Sequence, residues 1–78
     1  MKENDWRTLR WIVDYRERKG INPTIREVGT AFGIQHNAAK QRMFRLVRMG
    51  LLRQVAPRTA RALSPTLSGL AAVERGKA

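Results

Sequence analysis

Apolar residues recur at helical spacing along the first part of the chain. The first such set lies on one side of a helix: Leu9, Ile12 and Val13. Positions three and four residues apart return to the same face of a helix. The pattern therefore predicts a helix over about 5–19, with Asn4 or Asp5 as its N-cap and Gly20 just past its end.

Trp6, Trp11 and Tyr15 of this helix have two interpretations. They could be stacking platforms for nucleic-acid bases, or they could pack into the core and along its edge. Because they follow the helical period among apolar neighbours, we favour packing.

A capping box predicts the start of the second helix. Thr24 and Glu27 have the required spacing, so each side chain can bond the other residue's backbone N–H. Val28 and Phe32 then share one face. Gly33 ends the helix, because glycine tolerates the left-handed conformation that follows many helices. The predicted helix covers about 25–32.

The third helix is predicted over about 36–49, and it has two chemically different faces. One face is an apolar stripe of Ala39, Met43, Leu46 and Val47. The opposite face carries Asn37, Ala38, Gln41, Arg45 and Arg48, flanked by Lys40 and Arg42. The N-cap lies between Gln35 and Asn37, and Asn37 has the better capping chemistry.

Two interpretations of this polar face stay open. Asn and Gln can pair bidentately with adenine, and Arg can contact guanine or phosphate, so the face suits a helix lying in the DNA major groove. The alternative is an ordinary amphipathic helix with a solvated basic side.

After Gly50 the helical pattern stops, and a β-hairpin is predicted over about 51–64. Residues 51–55 have the composition of a strand, 56–59 contain Pro57 and favour a turn, and 61–64 suit a return strand. Arg58 would lie at the tip. A basic hairpin after a helix-turn-helix has the form of a wing, and the alternative is a loose basic loop that becomes ordered only on binding.

A short last helix is predicted over about 66–75, with the apolar residues Leu67, Leu70, Ala71 and Val73. Gly69 should weaken it by about 1 kcal/mol relative to alanine. It either packs on the first helix or offers an apolar stripe to a second copy. The predicted fold class is mostly α with a small β-hairpin: one winged helix-turn-helix domain over 1–78, with a three-helix core, a β-wing and a C-terminal helix.

The net charge and its distribution along the chain indicate the class of binding partner. The formal net charge is +10 over 78 residues, and no acidic residue occurs from Val28 to Val73. Such segregated positive charge favours a polyanion, most often nucleic acid. We see no lysine-rich amphipathic helix that would favour a membrane surface, no signal peptide and no membrane-spanning stretch, so a cytoplasmic, nucleoid-associated protein is expected.

The same residues resemble the N-terminal winged-helix DNA-binding domain of the LexA repressor family, over roughly Leu9 to Leu63. The resemblance lies in the Gly20 loop into Pro23-Thr24, the positions of Glu27 and Gly33, the Asn37-Ala38-Ala39 triplet, and the exit from Arg48 to Leu52. It implies base contacts by Asn37, Ala38, Lys40 and Gln41, with His36 nearby. Contacts to the DNA backbone are expected from the wing and other basic or polar positions: Thr24, Arg42, Arg45, Arg48, Arg53, Arg58 and Arg61.

The chain also departs from that family. Lys40 and Gln41 stand where the family carries acidic residues, so the family's operator sequence does not transfer. No serine-lysine cleavage machinery can be found, and we expect a domain without the autoprotease and dimerisation part. A small regulator of the kind that phages and plasmids encode fits better than an SOS repressor.

Three functions remain at this point. We favour a sequence-specific double-stranded DNA binder that acts in transcription control, as a repressor or activator. The alternatives are a less specific nucleic-acid accessory protein, such as an architectural or recombination factor or an RNA binder, and a winged helix used for protein interaction. A homodimer is expected at least on DNA, through the first or the last helix. With no cysteine and one histidine, we expect no metal, cofactor or small-molecule ligand, and no catalytic constellation is present.

Overall fold

The computed structural model describes residues 2–56 and 60–77. In that part of the chain the elements are α1 (Glu3–Lys19), α2 (Ile25–Phe32), α3 (His36–Arg48), β1 (Leu52–Gln54), β2 (Leu63–Pro65) and α4 (Leu67–Lys77). The two strands pair antiparallel. This order confirms the predicted fold class, a winged helix-turn-helix that is mostly helical with a small hairpin.

The start of α1 differs from the prediction. The helix begins at Glu3, Lys2 takes the N-cap position, and no side chain caps the first turn. The prediction that Asn4 or Asp5 is the N-cap was therefore wrong. Asp5 lies inside the first turn, and its side chain is turned into the fold, where its carboxylate pairs with Arg45 of α3 and is not available as a cap.

The boundaries of α2 follow the sequence signals. The Thr24 hydroxyl accepts from the Glu27 N–H at 3.0 Å, and the Thr24 N–H donates to Glu27 Oε1 at 2.7 Å. Gly33 has φ 63°, the left-handed conformation. The Ile34 N–H then bonds the Gly29 carbonyl at 3.0 Å, which turns the chain toward α3.

The core lies where α1, α2 and α3 meet, and the hairpin and α4 close it. Its buried apolar members are Leu9, Ile12, Val13, Val28, Ala39, Met43, Leu46, Leu52, Leu63 and Val73. Trp11 packs beside it, with its ring centroid 5.2 Å from that of Tyr15 and 6.1 Å from that of Phe32. These aromatic residues of α1 pack against one another and α2, as their spacing predicted.

The hairpin is short. Leu52 pairs with Pro65, Arg53 with Ser64 and Gln54 with Leu63. The predicted tip residue Arg58 lies outside the described residues, so the tip stays a prediction.

Close packing determines the position of α4. The Thr66 hydroxyl caps it by accepting from the Gly69 N–H at 3.0 Å, and it donates to the Gly50 carbonyl at 2.6 Å. Gly69 is buried, and a Cβ there would collide with the Leu51 carbonyl oxygen. The sequence had presented Gly69 only as a weak point of the helix, whereas the structure needs it for close approach.

The apolar face of α4 also differs in detail from the prediction. Val73 is buried and Leu70 and Ala72 pack beside the core, but Leu67 is 86% exposed. The helix lies against α1, where Gly76 meets the Trp6 ring. Among residues 2–56 and 60–77, no helix is long and apolar enough to cross a membrane.

Candidate nucleic-acid interface

The outward face of α3 is the centre of the candidate site. Ala39, Met43 and Leu46 are buried on the inner side of the helix. About half a turn away, at roughly 100° per residue, Asn37, Gln41 and Arg48 are exposed along the opposite side. The core therefore holds α3 by one face and presents two amide groups and a guanidinium on the other.

The first turn of α3 differs from the prediction. Gln35 is the N-cap, it makes no side-chain capping bond, and no acidic residue lies in the first turn. The prediction of Asn37 as the better N-cap was wrong. Asn37 is the second residue of the helix, so its amide group is directed outward and is not used for capping.

The other predicted base-contact residues surround this line. His36, Ala38 and Lys40 are exposed on the first two turns of α3. His36 also borders a shallow depression between α2 and α3 that Arg26 and Thr30 line. The structure thus brings all five predicted base readers to the exposed N-terminal half of one helix.

The predicted backbone contacts divide into separate groups. Arg48 at the end of α3 and Arg53 on β1 are exposed. Arg42 is half-buried, because its guanidinium carbon lies 5.8 Å from the centre of the Phe32 ring, a cation–π contact. Arg58 falls outside the described residues.

Arg45 has a role that the sequence did not show. Its guanidinium holds the Asp5 carboxylate with two nitrogens, Nη2 to Oδ1 at 2.9 Å and Nε to Oδ2 at 3.2 Å. Asp5 is only 2% exposed, and the bonds to it raise the pKa of Arg45. The prediction placed Arg45 on the DNA backbone, whereas the structure uses its guanidinium to join α3 to α1.

Arg61 also bonds groups of its own chain, although its side chain is 41% exposed. Its Nη1 donates to Glu27 Oε1 at 2.8 Å and to the Asn22 carbonyl at 2.8 Å. The Tyr15 hydroxyl donates to Glu27 Oε2 at 2.7 Å and lies 3.4 Å from Arg61 Nη1. We call these four residues, Tyr15, Asn22, Glu27 and Arg61, the Arg61 cluster. The predicted contact of Arg61 with the DNA backbone stays a prediction, and the structure adds intramolecular bonds that the sequence did not indicate.

The hydrogen bonds of this cluster shift the pKa values of Glu27 and Arg61. The Thr24 backbone N–H, the Tyr15 hydroxyl and the Arg61 guanidinium hold the pKa of Glu27 at about 2, against an ordinary value of 4.5. The Tyr15 hydroxyl and Glu27 raise the pKa of Arg61. Thr24, predicted to contact the DNA backbone, uses its hydroxyl as the acceptor that caps α2.

Sequence reasoning missed Phe44 and Arg26. Phe44 lies toward the polar side of α3, yet it is half-buried and lines a small cavity with Ile25, Ala62 and other residues of the hairpin and loop. The sequence did contain a signal for Phe44, because a large apolar residue outside the apolar stripe of a helix indicates packing against an element other than the three-helix core. Arg26 is exposed on α2 beside His36.

Taken together, the second helix, the tight turn at Gly33, the projecting third helix and the hairpin define a winged helix-turn-helix DNA-binding domain. Comparison with protein families agrees, because the family model of the LexA DNA binding domain matches residues 3–62. The chain belongs to the LexA DNA-binding domain family, and membership points to a regulator of transcription. A comparison with curated proteins finds no match to this chain.

Proposed function

We propose that this domain recognises a specific double-stranded DNA sequence and regulates transcription from it, as a small regulator of the phage or plasmid type acting at the nucleoid. The observation that carries the proposal is the exposed line of Asn37, Gln41 and Arg48 along α3, opposite the side that the core buries. A helix of this kind fits the major groove, where each base pair presents a distinct pattern of donors and acceptors.

The residues of that line have different tasks. The side-chain amides of Asn37 and Gln41 can each donate to and accept from one adenine, which reads sequence. Arg48, at the far end of the helix, suits a phosphate, which sets register without reading sequence. Lys40 and His36 lie on one side of this line on the helix's first turns and can reach the same groove, and Ala38, on its other side, leaves room for a thymine methyl group.

The wing would contribute the second part of the interface. Arg53 is exposed on β1, and the hairpin follows α3 directly in the chain. A basic hairpin beside a major-groove helix can contact phosphates of the adjacent backbone. The sequence places Arg58 at its tip, and we propose that Arg58 makes such a contact.

Two copies binding together would make recognition stronger, and we propose a homodimer at least on DNA. One α3 reads only a few base pairs, so a symmetric pair on a palindromic site extends the recognised sequence. Gel-shift stoichiometry on a full site and on an isolated half-site tests this. Equal affinity and a single bound copy on both duplexes would contradict it.

The function is tested with DNA selected from a random pool and then footprinted. Asn37→Ala and Gln41→Ala should each weaken binding to the selected site by about 1–3 kcal/mol, roughly fivefold to 150-fold, while salt-sensitive binding to unrelated duplex is unchanged. Asn4→Ala, the same chemical change on α1, is the matched control and should bind as the parent does. If both α3 variants keep the parent's sequence preference, this helix does not read bases, and a less specific nucleic-acid role follows.

A further inference from the structure

Arg61 contacts three separate parts of the helical core from the hairpin. It lies in a turn two residues before β2. From there its guanidinium reaches the Asn22 carbonyl in the loop between α1 and α2, the Glu27 carboxylate on α2 and the Tyr15 hydroxyl on α1. One nitrogen, Nη1, makes all three contacts, and Nη2 adds a longer one to Glu27 Oε2 at 3.4 Å.

The hairpin needs such an attachment. Among residues 51–56 and 60–65 its ladder has three residue pairs, extended by one bond from the Val55 N–H to the Ala62 carbonyl at 2.7 Å. A two-stranded hairpin is marginal on its own in water. Leu52 and Leu63 pack into the core and Phe44 packs near Ala62, but apolar packing is not directional, whereas the bonds of the Arg61 cluster are.

The positive charge of Arg61 is paired with the negative charge of Glu27. Glu27 Oε1 and Oε2 lie 2.8 Å and 3.4 Å from its two terminal nitrogens, so the pair presents little net charge to a distant phosphate. A phosphate contact by Arg61 would have to share the guanidinium with the Glu27 carboxylate, whose negative charge would then lie close to the phosphate. The geometry therefore argues against a phosphate contact as the main role of Arg61.

We propose that Arg61 is a positioning residue: through the Arg61 cluster it fixes the wing beside α3 before DNA arrives, and it is not itself a phosphate contact. The proposal rests on the proposed function, in which the wing touches DNA. A wing held in place spends a larger fraction of time in the binding-competent position, and apparent affinity rises with that fraction.

The two roles of Arg61 predict opposite signs for one substitution. Glu27→Gln removes a negative charge and frees Arg61, so a phosphate-contact role predicts tighter DNA binding. A positioning role predicts weaker binding, by about threefold to tenfold as the wing's competent fraction falls, despite the more favourable net charge. Glutamine keeps the capping box of α2, since its side-chain oxygen can still accept from the Thr24 N–H.

Two further variants separate the roles without relying on Glu27. Tyr15→Phe removes one hydroxyl from the cluster at constant charge, and a positioning role predicts weaker binding from it as well. Arg61→Lys keeps the charge, which suffices for a phosphate. Its side chain is one atom shorter than the path to Arg61 Nη1, the nitrogen that contacts both Asn22 and Glu27, and it has no counterpart of Nη2, which reaches Glu27 Oε2. The matched control is Arg53→Lys on the neighbouring strand, where a phosphate contact should survive.

The deciding experiment combines DNA affinity with hydrogen exchange of the Val55 amide, measured on free protein. We expect Glu27→Gln and Arg61→Lys to bind DNA more weakly, with the parent's salt dependence, and to exchange Val55 faster than Arg53→Lys does. Tighter or equal binding by Glu27→Gln, or unchanged Val55 exchange in both variants, overturns the positioning role. If the parent protein binds no duplex, the proposed function fails, and Val55 exchange alone decides whether Arg61 holds the wing.

Discussion

Arg45 in the last turn of α3 and Asp5 in the first turn of α1 form a bidentate ion pair, with Nη2 2.9 Å from Oδ1. The pair is asymmetric in its burial, since the Asp5 side chain is 4% exposed and that of Arg45 is 40% exposed. It joins the C-terminal end of the candidate recognition helix to the helix behind it. The orientation of α3 therefore depends on this contact as well as on the apolar core.

The asymmetry predicts unequal costs for the two truncations. Arg45→Ala leaves a buried carboxylate without its partner and should lower the free energy of unfolding by about 2 kcal/mol. Asp5→Ala should cost less, because the Arg45 guanidinium can turn to solvent. Urea denaturation measures both. Arg18→Ala, which breaks the exposed pair with Asp14, is the control and should cost under about 1 kcal/mol; a larger loss from Asp5→Ala than from Arg45→Ala would contradict the argument.

Acid should weaken the fold through Glu27. Its pKa is lowered to about 2 from an ordinary 4.5, so the carboxylate is more stable in the folded than in the unfolded chain. The stability it contributes is fully present above about pH 4.5 and is lost as the pH falls toward 2. Because Glu27 is partly exposed, solvent screening limits this contribution to about 1 kcal/mol.

Unfolding curves at a series of pH values test this linkage. The parent should be more stable than Glu27→Gln at neutral pH, and the difference should shrink between pH 4.5 and 2. Asp14→Asn, at the exposed pair on α1, is the control and should differ little from the parent at any pH. A difference between parent and Glu27→Gln that stays constant down to pH 2 would rule out the linkage.

The sequence predicted the features of this fold that depend on neighbouring residues, and it missed features that depend on contacts between distant residues. Thr24 with Glu27 specified the start of α2, and Gly33 its end, because a capping box and a left-handed glycine involve only near neighbours. The N-cap of α1 was predicted wrongly since Asp5 pairs with Arg45, which is 40 residues away. Sixteen basic residues were available as partners, and nothing in the spacing selected one.

The candidate site shows the same division. Its outward residues, such as Asn37 and Gln41, followed from helical periodicity alone, and the structure exposes both. The ion pairs of Arg45 and Arg61 did not follow, because a basic residue on a polar face has the same pattern whether it meets phosphate or a carboxylate of its own chain. Only the three-dimensional neighbours distinguish the two.

Gly69 is predicted to be essential for the packing of α4. An alanine Cβ there would collide with the Leu51 carbonyl oxygen, and backbone cannot move aside as a side chain can. Gly69→Ala should lose about 1–3 kcal/mol through overpacking, more than the gain of about 1 kcal/mol in helix propensity. Thermal unfolding measures the balance. Ser68→Ala, at the exposed neighbouring position, should be neutral or slightly stabilising, and a stabilised Gly69→Ala would show that α4 is free to shift.

Arg48 and Arg45 lie three residues apart on α3, and the structure predicts different effects on DNA binding when each is removed. Arg48 is exposed at the end of the outward line, so Arg48→Ala should weaken binding to every duplex and reduce the slope of log K against log salt by about 0.9, one phosphate contact. Arg45→Ala should leave that slope unchanged, since its charge is paired with Asp5. Fluorescence anisotropy across a salt series provides the slopes, with Arg10→Ala on α1 as a control for net charge. Equal slope changes in the Arg48 and Arg10 variants would mean that charge alone acts, without a contact at the end of α3.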